Sequence, residues 1–319
     1  MLSDLGADVV KVEDPDPGDY LREISPGMFA ALNRGKRSVV LDLKTAEGTS
    51  QLRRLCGRAD VLLESFRPGV LERLGFQDLL AEPGRVVICR ISGFGQTGPW
   101  RERAGHDIGY AALAGIVARN HGVPALQLGD LFGGAQNAVI AVLAALLERA
   151  QTGRGRVVDV AMTEGVTGLL LPHLGELPDA PENTLDGSRP CYRVYACQDG
   201  GAFAVGALEP KFWQRFCAAV GRPEWADRAL DPSLVPEIDA LFGSRTRQEW
   251  DALLRPADCC AEPVLTPSEL RGHPLFSELF AGGLPRTFPA LVPTGEIPRR
   301  PAPSRGQHTA EVLDEWTPG

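Results

Sequence analysis

The strongest constraint in this chain is an alternation. Short apolar runs at Ala7 to Val12, Ser38 to Leu43, Asp60 to Glu64, Val86 to Ser92 and Arg156 to Met162 read as strands, and the stretches between them have room for helices. Thr45 can cap a helix through about Cys56, and Pro68 suits the first turn of another. Parallel strands need long crossovers, so strands alternating with helices of this length indicate βαβ units, a parallel sheet and an α/β fold. The Gly-rich loop Gly93 to Gly98 follows a strand end, where open α/β sheets bind ligands. It lacks the spacing of a dinucleotide fingerprint or a phosphate loop.

Two short signals lie between Arg103 and Leu147: Ala104-Gly105-His106-Asp107-Ile108-Gly109-Tyr110, then Gly129-Asp130-Leu131-Phe132-Gly133-Gly134. After the second, Ala135 to Leu147 is almost all Ala, Val, Ile and Leu, with Gln136 and Asn137 the only polar residues, which reads as a helix buried on most of its faces. Asp130 then stands just ahead of a buried helix, and two readings are open. In one, Asp130 is the N-cap, its carboxylate accepting a backbone N–H bond in the first turn. In the other, Gly133 and Gly134 let a ligand approach first-turn N–H groups whose partial positive charge suits a developing oxyanion. A carboxylate, an imidazole and an oxyanion site together can move a proton next to a carbonyl.

Composition narrows the classes. With 319 residues, 44% apolar and 23% charged, the chain can bury a large core and is long enough for two domains. No apolar run approaches the ~20 residues that span a bilayer, and no charged segment with an apolar core opens the sequence, so no membrane partner is expected and the chain should stay in the cytoplasm. The seven cysteines show no metal-site spacing and read as reduced, mostly buried thiols; no metal is expected. A net charge of −8 argues against nucleic acid. It conceals a basic cluster of Arg34, Lys36, Arg37, Lys44, Arg53, Arg54 and Arg67, a solvated face or a phosphate site. Asp159, inside an apolar strand, reads as a structural carboxylate bonded to backbone or Arg groups.

Further along, Pro172 to Pro190 turns to Pro, Gly, Asp, Glu and Asn, the composition of a linker. Ala202 to Gly206 reads as a strand, and Lys211 to Val220, Val235 to Phe242 and Arg247 to Leu254 have helical spacing. Leu284 to Pro303 is rich in proline, and Thr309 to Trp316 looks like a final helix.

The two signals resemble the GHDINY and D-x-x-G-G motifs of the α-methylacyl-CoA racemases, within the family III CoA-transferase (CaiB/BaiF-like) superfamily. Leu5 to Glu13, Asn33 to Ser38, Leu41 to Lys44, Glu64 to Gly69, Ser92 to Gly98, Gly206 to Pro210 and Gly306 to Thr309 follow in the family's order. The resemblance covers nearly the whole chain. It implies a Rossmann-like large domain, here 1–180 and 285–319, a linker at 181–191, a smaller α+β domain at 192–284, and an interlocked homodimer. By the same likeness the first βα unit of the family is missing, and the linker is short, with Leu185 to Tyr192 departing from the family's LDGGAPFY.

The chemistry implied is racemisation of 2-methylacyl-CoA thioesters, a step in lipid metabolism, with coenzyme A as part of the substrate and no separate cofactor. His106 and Asp130 would flank the α-carbon, each a base in one direction and an acid in the other, and Glu209 or Asp107 would orient His106. For binding, the resemblance points to Leu41, Asp42, Leu43 and Lys44 and to Gly105, Ile108, Gly109 and Tyr110. Arg34, Arg37 or Arg67 would meet the phosphates, because Asp14 stands where the family has an arginine and would repel phosphate. Two alternatives stay open: a CoA-transferase in which Asp130 attacks the thioester, and a catalytically weak CoA-binding remnant, motivated by Asp14 and the absent first unit.

Overall fold

The computed structural model describes residues 1–175, 185–280, 283 and 300–316. It divides into one compact unit of Met1–Gly175 with Leu284–Gly319 and another of Glu176–Gly283. Residues 176–184, in the linker expected from sequence, and most of the proline-rich stretch from 284 lie outside the described residues.

In the first unit, strand β1 (Val10–Glu13) is followed by helix α1 (Pro26–Asn33), strand β2 (Arg37–Val40), helix α2 (Ala46–Cys56) and strands β3 (Val61–Glu64) and β4 (Val87–Ser92). Helix α3 (Asp107–Leu113), helix α4 (Asn137–Thr152), strand β5 (Val157–Ala161) and helix α5 (Met162–Thr167) complete its N-terminal part. The Thr45 side chain accepts the Gly48 N–H and starts α2, as the sequence suggests. All strand pairs here are parallel, with Val10 opposite Arg37, Val61 opposite Val87 and Ile88 opposite Val157. They form two sheets, however, ordered β1-β2 and β3-β4-β5, where one continuous sheet was expected.

The reason lies at the edges. The outer edge of β2 is covered by the returning C-terminal segment: Ser38 N–H donates to His308 Nδ1 at 3.2 Å, and Val40 N–H to Thr309 Oγ1 at 3.1 Å. β1 and β3 each keep one edge with no strand partner among the described residues. Val10 and Val12 of β1 and Leu62 of β3 nevertheless pack against one core of Val39, Leu41, Leu52, Leu55, Leu71 and Phe76. Parallel strands are normally buried on both faces; β4 is, whereas β1 and β3 are only half-buried along most of their length.

Two expectations about helices need correction. Pro68 precedes its helical turn, which starts at Val70 after Gly69 at φ 83. More consequentially, α4 is not buried on most faces: Ala138, Val139, Val142 and Ala145 are buried, while Ile140, Leu143 and Leu147 are 57%, 47% and 67% exposed. A helix lying on a sheet offers it one stripe only, and composition reports all faces together. The segment also joins the preceding turn to make a 24-residue helix, Gly129–Thr152, long and apolar enough by length and composition to cross a membrane, which the sequence reading missed. It packs on β4 and β5 and ends where Gly153 adopts φ 74.

The second unit is an antiparallel sheet of β6 (Tyr192–Ala196), β7 (Ala202–Gly206) and β8 (Ala261–Pro263), carrying helices α6 (Pro210–Ala219), α7 (Val235–Phe242) and α8 (Arg247–Leu254). Its core is aromatic: Tyr195 stacks on Phe242 at 5.0 Å, and Trp213 and Trp250 are fully buried. Six of the seven cysteines in the molecule are buried and Cys260 is exposed. Helix α9 (Thr309–Trp316) belongs to the first unit and buries Val312 in its core.

Candidate active site

One buried ring ties the motifs together. Tyr110, 6% exposed, lies so close to Gly93 and Gly105 that a methyl carbon added at either would stand 2.6 Å and 2.5 Å from its ring. At Gly129 the same carbon would be 3.2 Å from Tyr110 Cβ and 3.1 Å from Asp107 Oδ1. The Gly93–Gly98 loop, the segment before α3 and the start of the Gly129 motif therefore meet around Tyr110; a side chain at Gly93 or Gly105 would displace the ring, and one at Gly129 would fit only if its neighbours gave way by a few tenths of an ångström. Phe94 completes the setting edge-on to Tyr110 at 5.4 Å.

His106 sits in extended conformation as the N-cap residue of α3, and its carbonyl accepts the Gly109 N–H at 2.8 Å. Its imidazole is not used as a cap and is exposed, as is Ile108, whereas Gly109 is half-buried. Asp107 was expected as a candidate to orient His106. It turns instead to the second motif, its Oδ1 accepting the Asp130 backbone N–H at 2.8 Å.

Asp130 is not the N-cap of a helix either. It lies within a π-helical segment, Gly129–Gln136, that runs straight into α4. π-Helical turns are rare and recur at functional sites, and no sequence pattern announces one. The residue is exposed overall, yet neighbouring protein crowds its carboxyl: burial raises its pKa above the usual carboxylate range, the Asp107 charge raises it further, and His106 opposes both. Burial, then Asp130 and Asp107, likewise push the Tyr110 hydroxyl upward.

Gly133 and Gly134 do not open the helix to a ligand. Both are buried, and a methyl carbon at Gly133 would be 2.3 Å from the Met162 carbonyl oxygen, at Gly134 2.9 Å from the Met162 side chain. These glycines let the π segment press against α5, leaving no space there for substrate. Asp159 behaves as read: its Oδ2 accepts the Gln96 N–H at 2.8 Å, holding the Gly93–Gly98 loop. That loop supplies what the sequence reading overlooked, since the Ser92 hydroxyl and both amide atoms of Gln96 are buried without a partner.

The basic cluster is mostly spent. Arg37, 4% exposed at its side chain, binds Asp8, Glu311 and Glu315, and so fastens α9 to β2. Arg34 pairs with Asp4. Both were expected at phosphates, and in this chain each is committed to carboxylates. Arg67 is exposed and bears no ion pair among the described residues. Lys44 is 78% exposed and lies 3.3 Å from Asp14. Leu41 and Leu43 pack in the core, and Asp42 Oδ1 accepts the Lys44 N–H at 3.0 Å, so the Leu41 to Lys44 stretch presents one cationic tip. Glu209 is the N-cap residue of α6 in the second unit, exposed and with no side-chain cap bond. Among the described residues no cluster of His, Cys, Asp or Glu has the makings of a metal site.

The fold and these motifs define a class, and comparison with known proteins identifies it. The model of CoA-transferase family III matches residues 1–309, and the chain belongs to that family. It is similar to the human α-methylacyl-CoA racemase, 37% identical over 99% of this chain and 88% of that protein. It is also 37% identical to the succinyl-CoA–D-citramalate CoA-transferase of Chloroflexus aurantiacus, over 71% of this chain and 61% of that one. Among solved structures, a CaiB/BaiF family protein from Brucella suis superposes with a TM-score of 0.83 at 28% identity, over 99% of this chain and 93% of its own.

Proposed function

We propose that this protein interconverts the two configurations of 2-methylacyl-CoA thioesters by removing and returning the α-proton, with His106 and Asp130 as the two proton carriers. The observation that carries this reading is the state of Asp130. A carboxyl whose pKa is raised by burial and a neighbouring carboxylate is suited to gaining and losing a proton, and it stands within electrostatic reach of His106. The α-proton of a thioester is weakly acidic, so one carrier takes it from one face, an enolate forms, and the other carrier returns a proton to the opposite face. The full-length likeness to the human racemase supports the same reaction.

The likeness to a transferase supports a second reading, in which Asp130 attacks the thioester. Both readings need an ionised Asp130 at the moment of reaction, so its raised pKa does not choose between them. Incubating a 2-methylacyl-CoA in heavy water separates the two. Racemisation places deuterium at the α-carbon with the thioester intact; transfer puts an acyl group on Asp130 that hydroxylamine traps. Trapping without α-deuterium would overturn the racemase reading.

We further propose that the working form is a homodimer in which Glu209 of one copy serves His106 of the other. A stable, active monomer in light scattering at micromolar concentration refutes this.

A further inference from the structure

The two proton carriers are joined by very little structure. His106 and Asp107 share a peptide bond, and Asp107 Oδ1 accepts the Asp130 N–H at 2.8 Å. One covalent link and one hydrogen bond therefore connect the imidazole-bearing residue to the carboxyl-bearing one. The contact is close-packed: Gly129, just before Asp130, is buried, and a side chain there would come within 3.1 Å of Asp107 Oδ1 and 3.3 Å of the Asp107 carbonyl oxygen. The π segment Gly129–Gln136 shifts the backbone away from regular α-helical bonding at the residue where this external acceptor takes an N–H.

We propose that Asp107 is the positioning residue of this site: its carboxylate clamps the backbone of Asp130, fixes the separation of Asp130 from His106, and carries no proton to or from substrate. The inference rests on the racemase reading for its kinetic consequence but not for its structural one. Asp107 also faces Asp130 as a like charge. The groups that bear on Asp130 are Asp107 and Tyr110 of α3 and His106 before it. The other titratable groups on elements packed against the π segment are Glu148 and Arg149 of α4, Asp159 of β5 and Glu164 of α5.

Three full-length variants test this. Asp107→Asn keeps an oxygen acceptor for the Asp130 N–H and removes the charge; Asp107→Ala removes both; Asp107→Asn combined with Gly129→Ala crowds the acceptor. α-Proton exchange in heavy water gives kcat and KM across pH, and carbon NMR of labelled Asp130 gives its titration midpoint whether or not the protein is active. The expected result is a loss in kcat of no more than a few-fold in Asp107→Asn and about 10- to 100-fold in the other two, with KM little changed. The Asp130 midpoint and the acidic limb of the rate profile should both move down in Asp107→Asn and Asp107→Ala, because a like charge is gone. Asp107→Asn falling as far as Asp107→Ala would make Asp107 a proton carrier and overturn the proposal. An unmoved midpoint would overturn it as well. If the wild type shows no α-exchange, the racemase reading fails, and the clamp is judged by hydrogen exchange of the Asp130 amide: protection kept in Asp107→Asn and lost in Asp107→Ala supports it, and equal protection in all three overturns it.

Discussion

The carboxylate of Asp14 lies 3.3 Å from the ammonium of Lys44, at the tip of the Leu41 to Lys44 stretch, which we propose meets coenzyme A. The Asp16 N–H and then Lys44 hold the Asp14 carboxyl below its ordinary range, so it is ionised at neutral pH. An anion at that point competes with phosphate for the same lysine. We expect Asp14→Asn, and more so Asp14→Arg, to bind coenzyme A several-fold tighter in titration calorimetry at low salt, with the advantage fading at high salt because both groups are solvated. Equal affinity in all three proteins would place the phosphates elsewhere, with Arg67 the next candidate.

Asp130 should trade stability for function. Its pKa is raised in the folded state, so the fold favours the neutral form: the associated stability is fully present below the unfolded-state pKa and is lost as pH rises through the folded-state value. Asp130→Asn is permanently neutral and should therefore melt higher than wild type at pH 7, the difference closing as pH falls through the raised value toward the ordinary carboxylate range. The same substitution should slow racemisation by about 10² to 10⁴, since an amide cannot carry the proton on its face of the α-carbon. Melting curves at several pH values, beside the exchange assay, check both parts.

A glycine series tests the packing of the π segment. At Gly133 a methyl carbon meets the Met162 carbonyl oxygen at 2.3 Å, and at Gly165 it meets the Gly133 carbonyl oxygen at 2.3 Å, both backbone atoms that cannot swing aside. Gly133→Ala and Gly165→Ala should each cost about 1–3 kcal/mol or more in denaturant unfolding, as overpacking does. Gly168→Ala, with φ −55 and nothing within 4 Å, should be neutral or stabilise by about 0.4–1 kcal/mol through the unfolded chain.

The strands of the first unit were legible because short β-branched runs between turn signals leave few alternatives, as Val61–Glu64, Val87–Ser92 and Val157–Ala161 show; in the second unit Val235–Phe242 and Arg247–Leu254 match their helical spacing residue for residue, and Ala202–Gly206 its strand. What escaped was whatever depends on a partner far along the chain. Ser38 and Val40 gain covers from His308 and Thr309, and Arg37 is claimed by Glu311 and Glu315; no local pattern announces either. Gly133 and Gly134 read as room for a ligand because a glycine in sequence does not say what occupies its missing side chain, which here is α5. The direction of Asp107 was open for the same reason. Its neighbour in sequence is His106, but its hydrogen-bond partner lies twenty-three residues on.

The open edges of β1 and β3 give the last test. Both strands lean on one core through Val10, Val12 and Leu62, both run parallel to the single strand partner each has among the described residues, and the far edge of β2 is already covered by His308 and Thr309. A parallel strand entering between them would bond to both edges and bury the half-exposed faces that β4, with two neighbours, does not have. A chain extended ahead of Met1 by an apolar strand and a crossover helix should therefore melt a few degrees higher and show less self-association in light scattering, at about 2–4 °C for each kcal/mol gained. Placing prolines in the added strand removes its ladder donors and should abolish the gain. Equal stabilisation by the proline version would mean that the added helix, not the strand, is responsible, and no stabilisation by either would mean that the two edges do not accept a common strand.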